Sequence, residues 1–348
     1  MKPTVIHLID DNKLGGVNLA LESLAASKLN QEFEFKLINR HFSLPSFRRY
    51  AADIIVVHAA LSWRKLPALF ALKLANLGTP ILYQEHHYSR EFVAQCVSHS
   101  RRFYSMLKLG YSLMDKVLLV SQAQVCWLDE LKILRVDKRV CLGQAKELSQ
   151  FRALPERPRR ACSSPLKLLA YGRLSRQKGF DLLIKAMAKL PADRVSLTLA
   201  GEGELRQPLS ELAASLPQVR LIGEVQDVPQ FLDSGDVVVI PSRWEPFGLA
   251  CLEAIAAGKP VILTGVDGLG EQVQWLNQNG SGYQLINELS VEGIERAITQ
   301  VLNAEPLQVN QEQRELSEQA WQKMLNNWQR VLCEALSSRQ NQQIKKRR

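Results

Sequence analysis

The chain has 348 residues, 46% of them hydrophobic and 23% charged, which is ordinary for a globular protein and enough for two domains. Lysine and arginine outnumber aspartate and glutamate by 9. These values exclude a disordered chain, a collagen-like fibre and a small disulfide-stapled scaffold, and no apolar run reaches the ~18 residues of a membrane span.

The N-terminus meets Asp10 and Asp11 before a secretory signal core forms, so a cytoplasmic location is expected. Strand-length apolar runs then recur at residues 5–9, 33–38, 54–58, 81–83 and 117–120. Helical patterns lie between them at 17–29, 63–77, 101–114 and 123–134. Near-continuous apolar strands alternating with helices predict a parallel sheet covered on both faces. Residues 151–165, with prolines, charges and no periodicity, read as a linker. A second series starts afresh, with strands at 166–171, 195–200, 219–222, 237–240 and 261–263 and helices at 179–190, 204–216, 248–257 and 291–303. The expected organisation is an α/β protein with two tandem, Rossmann-like, doubly wound domains, 1–150 and 166–310. A helix over 311–337 could cross back to the first domain, and 338–348 is a basic tail expected to be a solvated, disordered end. Ligands of such sheets bind at the carboxyl ends of the strands.

Charge is uneven along the chain. Residues 1–150 hold 20 Lys and Arg against 13 Asp and Glu, whereas residues 166–338 hold 15 against 21. One basic half beside an acidic one suits a single anionic surface or ligand. There is no aromatic-basic or zinc-finger signature, so no nucleic-acid partner is expected. The six cysteines (Cys96, Cys126, Cys141, Cys162, Cys251, Cys333) are scattered without a Cys-x-x-Cys pair and read as free thiols.

Four strand-end segments carry chemistry. Gly15-Gly16 opens a helix and permits close approach of a phosphate. Tyr171–Gly179 (YGRLSRQKG) follows a strand, and there Gly172 precedes Arg173 and Lys178, two cations suited to a diphosphate. Residues 200–204 (AGEGE) fail the dinucleotide fingerprint, because Arg206 stands where its third glycine is needed. A Rossmann dehydrogenase is therefore rejected. Residues 241–253 (PSRWEPFGLACLE) carry Glu245, Phe247, Gly248 and Leu249 into a helix bearing Glu253. The free N–H groups at that helix start suit an anion, and carboxylates suit vicinal sugar hydroxyls.

With Gly172-Arg173…Lys178-Gly179, Gly201-Glu202-Gly203, Pro241-Ser242, the pair Glu245 and Glu253 around Pro-Phe-Gly, and Ala257-Gly258…Pro260-Val261, the sequence resembles the family 4 glycosyltransferases of the GT-B fold, whose two domains face across a cleft. The match covers residues 166–275 closely and the N-terminal half in outline. The resemblance implies a retaining, metal-independent hexosyltransferase with a nucleotide-diphosphate sugar as donor substrate and no cofactor. It implies that Arg173 and Lys178 hold the diphosphate, Glu245 the donor sugar and Glu253 the ribose. It also implies that N–H groups after Glu245 bind sugar and phosphate, and that Gly15 and Gly16 close over the diphosphate. His86, with His87 as alternative, matches a histidine near the donor sugar. No Asp-x-Asp metal signal is present.

The acceptor is expected on the N-terminal domain: a cell-envelope glycan such as lipopolysaccharide core, or a lipid-linked sugar. Residues 99–116 interleave Arg101, Arg102 and Lys108 with aromatic and apolar residues. Such a helix can lie on an anionic membrane at the cytoplasmic inner face, although its apolar stripe is more often a core-packing face. The competing reading is a non-catalytic sugar-nucleotide-binding or scaffold protein with the same fold.

Overall fold

The computed structural model describes residues 2–10, 15–45, 47–155, 164–279 and 282–347. The chain divides into two compact units, Met1–Glu147 with Ala320–Arg348, and Leu148–Gln319.

The first unit holds strands β1 (Thr4–Ile9), β2 (Glu34–Asn39), β3 (Ile54–His58), β4 (Ile81–Glu85), β5 (Lys116–Leu119) and β6 (Arg139–Cys141). They pair in parallel in the order β2-β1-β3-β4-β5-β6. The second holds β7 (Leu166–Tyr171), β8 (Val195–Ala200), β9 (Val219–Ile222), β10 (Val237–Ile240), β11 (Val261–Thr264) and β12 (Tyr283–Ile286). Their order is β12-β11-β10-β7-β8-β9, again all parallel. Each sheet is doubly wound. Strand order reverses between β1 and β3 in the first and between β7 and β10 in the second, and such switch points open a crevice at the carboxyl ends of the strands.

Central strands are buried on both faces: every residue of β3, β4 and β10 is buried. This is why their sequences run apolar without alternation. β6 and β12 lie at sheet edges and are only partly buried. Their mixed sequences gave no apolar run, and neither strand was expected. The helices Arg90–Cys96, Val228–Asp233 and Asp267–Asn279 were also unexpected.

The C-terminal helix is continuous over Gln311–Arg347. The segment expected to be a disordered tail therefore continues the helix. Its first turns belong to the second unit, where Arg314 donates to the carbonyls of Arg152 (2.6 Å) and Leu154 (3.0 Å). From Ala320 it belongs to the first, where Trp328 is 1% exposed and Asn327 donates to Leu142 O at 3.1 Å. The stretch expected as a linker begins with a helical turn, Ser149–Arg152, and its residues 156–163 lie outside the described ones.

The helix Ser100–Ser112 carries the basic amphipathic pattern. Met106, Leu107 and Tyr111 are buried in the core of the first unit, with Phe103 and Tyr104 packed against it. Its apolar stripe is thus a packing face. Arg101, Arg102, Lys108 and Leu109 point to solvent. No helix among the described residues is long and apolar enough to cross a membrane.

Candidate active site

The switch point of the second sheet gathers the residues around Lys178 and Glu245. β7 ends at Tyr171, and its loop turns through a short 3-10 helix, Arg176–Lys178, into the helix Phe180–Met187. β10 ends at Ile240, and its loop leads to the helix Leu249–Ala256. The two loops are clamped together. Arg243 grips both carboxylate oxygens of Asp181 at 2.7 Å, and its N–H donates to Gln177 O at 2.7 Å. Gln177 donates in turn to Trp244 O at 3.1 Å. Gly179 (φ +69°) lets the first loop approach the second, since a Cβ there would lie 2.0 Å from Pro241 O.

This clamp brings Lys178 Nζ to 2.5 Å from Glu245 Oε2, with the side chains 19% and 10% exposed. Ser242, fully buried, donates its hydroxyl to the same oxygen at 3.2 Å. Asp267, in the left-handed conformation (φ 44°), accepts from Glu245 N at 3.1 Å. Gln272 donates to Phe247 O (2.6 Å) and Gly248 O (3.1 Å) and holds the turn into the helix. Gly248 takes φ +99° as its N-cap. The first N–H groups of that helix, from Leu249 on, have no intrahelical partner and bear partial positive charge.

Glu253 lies one helical turn on, 6% exposed, and accepts from Tyr171 Oη at 2.6 Å. Burial first, and Glu253 second, push the Tyr171 phenol well above its ordinary range, so it serves as donor. Burial likewise pushes the Cys251 thiol up to about 12, which removes it as a nucleophile. Gly172 (φ +132°) lies against the Lys178 side chain. Arg173 stands exposed at the start of the same loop.

The structure thus brings together Gly172, Lys178, Glu245, Phe247, Gly248, Leu249 and Glu253, with Arg173 beginning the same loop. Ser242 lay in the quoted motif without a role. Gln177 and Arg243 likewise lay in the quoted segments without a role, and Asp181, Asp267 and Gln272 had no sequence signal, because their partners are 22 to 62 residues away.

Gly15, Gly16 and His86 belong to the first unit. Gly15 and Gly16 begin the helix Gly15–Ala26, and the residues before it (11–14) lie outside the described ones. His86 is half-buried just beyond β4, and its Nε2 lies 3.0 Å from His58 Nδ1. The turn that carries it is held by Glu85, which is fully buried. Glu85 Oε1 accepts from the N–H groups of His87 (2.8 Å) and Tyr88 (3.0 Å), and Oε2 from Tyr111 Oη (2.8 Å). Desolvation pushes this carboxyl up to about 7 against those bonds. His87 instead lines a cavity of about 620 Å³ with Asp10, His41, Ser62, Arg64 and Lys65. The cavity sits at the carboxyl ends of β1 and β3, the switch point of the first sheet. Asp10 is held there by Lys65 and by Phe42 N–H at 2.9 Å.

Residues 157–323 match the family of glycosyl transferases group 1. The chain is 42% identical over 113 residues to an uncharacterised glycosyltransferase of Methanocaldococcus jannaschii, covering 31% of this chain and 29% of that protein. The chain is 38% identical over 138 residues to LpsE of Rhizobium meliloti, a lipopolysaccharide core biosynthesis glycosyltransferase, covering 39% of each. The chain therefore spans well under half the length of these curated relatives. Across 99% of this chain and 98% of the other, the fold is similar to that of Anabaena HepE, solved in complex with UDP and glucose, with a TM-score of 0.64 and 18% identity. Two doubly wound parallel units with this likeness make the fold GT-B.

Proposed function

We propose that the protein is a retaining, metal-independent glycosyltransferase that moves a hexose from a nucleotide-diphosphate sugar to an acceptor hydroxyl. The observation that carries this reading is the Lys178–Glu245 pair at the β7/β10 switch point, beside the helix start at Gly248. One small region offers an ammonium and helix N–H groups to an anion, and carboxylates to hydroxyls. Before the donor binds, Lys178 and Glu245 neutralise each other. A bound diphosphate competes for the ammonium, and Glu245 turns to the sugar. Glu253 keeps Tyr171 on Oε2 and uses its other oxygen for the ribose diol.

In the transfer, the bond from the anomeric carbon to the diphosphate oxygen breaks, and its electron pair stays on the diphosphate. Arg173, Lys178 and the N–H groups from Leu249 stabilise that charge, as fixed dipoles and cations do for other leaving groups. The acceptor oxygen bonds to the anomeric carbon on the face just vacated, and its proton passes to a diphosphate oxygen. This requires no protein nucleophile. The resemblance further assigns Gly15 and Gly16 to the diphosphate and His86, with His87 as alternative, to the donor sugar.

The acceptor is assigned to the first unit's cavity, which Arg64 lines together with the Lys65–Asp10 ion pair, a mixed polar lining that suits a glycan's hydroxyl groups. The likeness to LpsE favours a cell-envelope glycan or lipid-linked acceptor, reached at the cytoplasmic face of the membrane. A thermal-shift screen of nucleotide sugars tests the reading, since a donor at about 100 times its Kd adds about 2.7 kcal/mol of apparent stability. A stabilising donor should be turned over, and Arg173→Ala should cut that turnover more than tenfold with its melting temperature unchanged. Full turnover in Arg173→Ala removes that residue from the site, and the absence of any stabilising nucleotide sugar overturns the function.

A further inference from the structure

The helix Leu66–Ala75 turns an apolar face to solvent. Pro67, Phe70, Leu74 and Leu77 recur every three or four residues and all are exposed, the last three by 52%, 42% and 69%. A surface helix ordinarily keeps its apolar residues on the core side and polar ones outward. Here the core side is filled as well, by Leu66, Ala68, Leu69 and Leu72. Buried Asn76 ties a neighbouring loop to the helix end: its Nδ2 donates to Arg48 O at 3.0 Å, and its Oδ1 accepts from Tyr50 N–H at 2.8 Å. That loop adds exposed Phe47, Arg48 and Arg49.

The helix Ser100–Ser112 lies alongside. Gly110 permits the approach, since a Cβ there would fall 2.8 Å from Leu61 Cδ1 and 3.3 Å from Leu66 Cδ2. Both helices send their buried side chains into one core cluster, which meets the sheet at Ile55, Val57, Tyr83 and Val117. Residues two apart on a strand share a face, so both helices cover the same face of the sheet and turn their outer sides to solvent together. Trp63 marks the join, 45% exposed, with the Arg102 guanidinium 6.0 Å from its ring centroid.

Charge on this side has one sign. Residues 40–50, 62–77 and 97–114 hold nine Lys and Arg and no Asp or Glu. Lys65 and Lys73 are paired with Asp10 and Asp115 from outside these segments. Arg48, Arg49, Arg64, Arg101, Arg102 and Lys108 are exposed and make no ion pair among the described residues. One helix thus supplies outward apolar side chains and the other outward cations, the two things an interfacial element needs for the acyl boundary and for anionic headgroups.

We propose that this composite face docks the first unit on an anionic phospholipid bilayer. A bilayer offers hydrocarbon beneath a layer of negative charge, which matches an apolar stripe flanked by unpaired cations. A tryptophan at the join suits the headgroup level, with its ring in the apolar layer and its N–H at the wet edge. A second copy of the chain on the same face would set cation against cation. The face ends at the cavity, which Arg64, adjacent to Trp63, lines. That an acceptor is met there rests on the transferase reading; the docking does not.

The test uses the full chain with vesicles of mixed phosphatidylglycerol and phosphatidylcholine. Joint replacement Phe70→Ser, Leu74→Ser and Leu77→Ser should weaken co-sedimentation at least about tenfold with the melting temperature unchanged. Leu19→Ser, at an exposed position of the helix Gly15–Ala26, should bind as wild type. Brominated phosphatidylglycerol should quench tryptophan fluorescence of the wild type, and markedly less that of Trp63→Phe at equal binding. Undiminished binding of the triple variant, equal loss in Leu19→Ser, or unchanged quenching in Trp63→Phe overturns the proposal. So does a triple variant whose only change is from dimer to monomer in sedimentation velocity, which assigns the face to a second copy. Docking by a protein that turns over no nucleotide sugar supports the face and sinks the transferase reading alone.

Discussion

Lys178 Nζ and Glu245 Oε2 lie 2.5 Å apart, at the ends of two loops that start from neighbouring strands and are separated by 67 residues of sequence. The Arg243–Asp181 ion pair ties the same two loops together. Both charges are largely out of water, so removing one leaves the other without its counter-charge.

Lys178→Ala and Glu245→Gln should each destabilise the second unit by about 1–3 kcal/mol, the cost of an unsatisfied, mostly buried polar group. The double variant should recover part of that, with a coupling of about 1–2 kcal/mol. Denaturant unfolding of the four species measures it. Additive losses would show that the contact contributes nothing to the fold.

Gly248→Ala should cost about 1–3 kcal/mol and weaken donor binding together, because φ +99° strains any side chain and a Cβ would fall 2.4 Å from Leu269 Cδ2. Thermal unfolding and donor titration read the two effects. Wild-type values in both would mean that the helix start tolerates an ordinary residue.

Glu85 makes stability depend on pH in a definite sense. Burial pushes its carboxyl up from the ordinary 4.5 to about 7, so the native state holds the proton more tightly. Its stabilising contribution is complete below about pH 4.5 and is lost as pH rises through about 7. The buried histidines act oppositely: unfolded histidines take up protons below about pH 6.5, so their contribution is lost as pH falls from there toward 3. Glu85→Gln, neutral throughout, should therefore gain stability relative to wild type as pH rises from about 4.5 to 7, by on the order of 3 kcal/mol. Comparing slopes removes the constant cost of refitting an amide beside Tyr111. Parallel curves for the two proteins would show that Glu85 titrates normally.

The solvent-facing side of the helix Ser100–Ser112 carries Arg101, Arg102 and Lys108 around exposed Leu109. Each cation near an anionic surface is worth ~1 kcal/mol, so their triple replacement by glutamine should lower partitioning onto phosphatidylglycerol vesicles by about a hundredfold. Co-sedimentation at low salt measures this. Equal sedimentation with neutral phosphatidylcholine vesicles would remove the membrane surface from the proposed function.

The alternation of apolar strand and helix was legible along both halves. The expected strands at 54–58, 166–171, 195–200, 219–222 and 237–240 coincide with β3, β7, β8, β9 and β10. The central ones among them coincide because buried parallel strands need apolar residues on both faces, a demand written locally in the chain. Edge strands β6 and β12 escape that demand, and their sequences stayed silent. The loop chemistry around Lys178, Glu245 and Glu253 was legible for a related reason: it is packed into short stretches at strand ends, with glycines where backbones meet.

Which groups hold those stretches in place was decided only by the tertiary structure. Asp181, Asp267 and Gln272 look like ordinary surface polar residues in sequence, and only the sheet order brings each to its loop. The same is true in the first unit. Glu85 is one more charged residue in the sequence, and burial makes it the anchor of the turn. His7 and His58 read as single polar interruptions of apolar strands. They become a row with His86 because β1, β3 and β4 are adjacent in the sheet, an adjacency set by long-range pairing between strands and not by any local pattern.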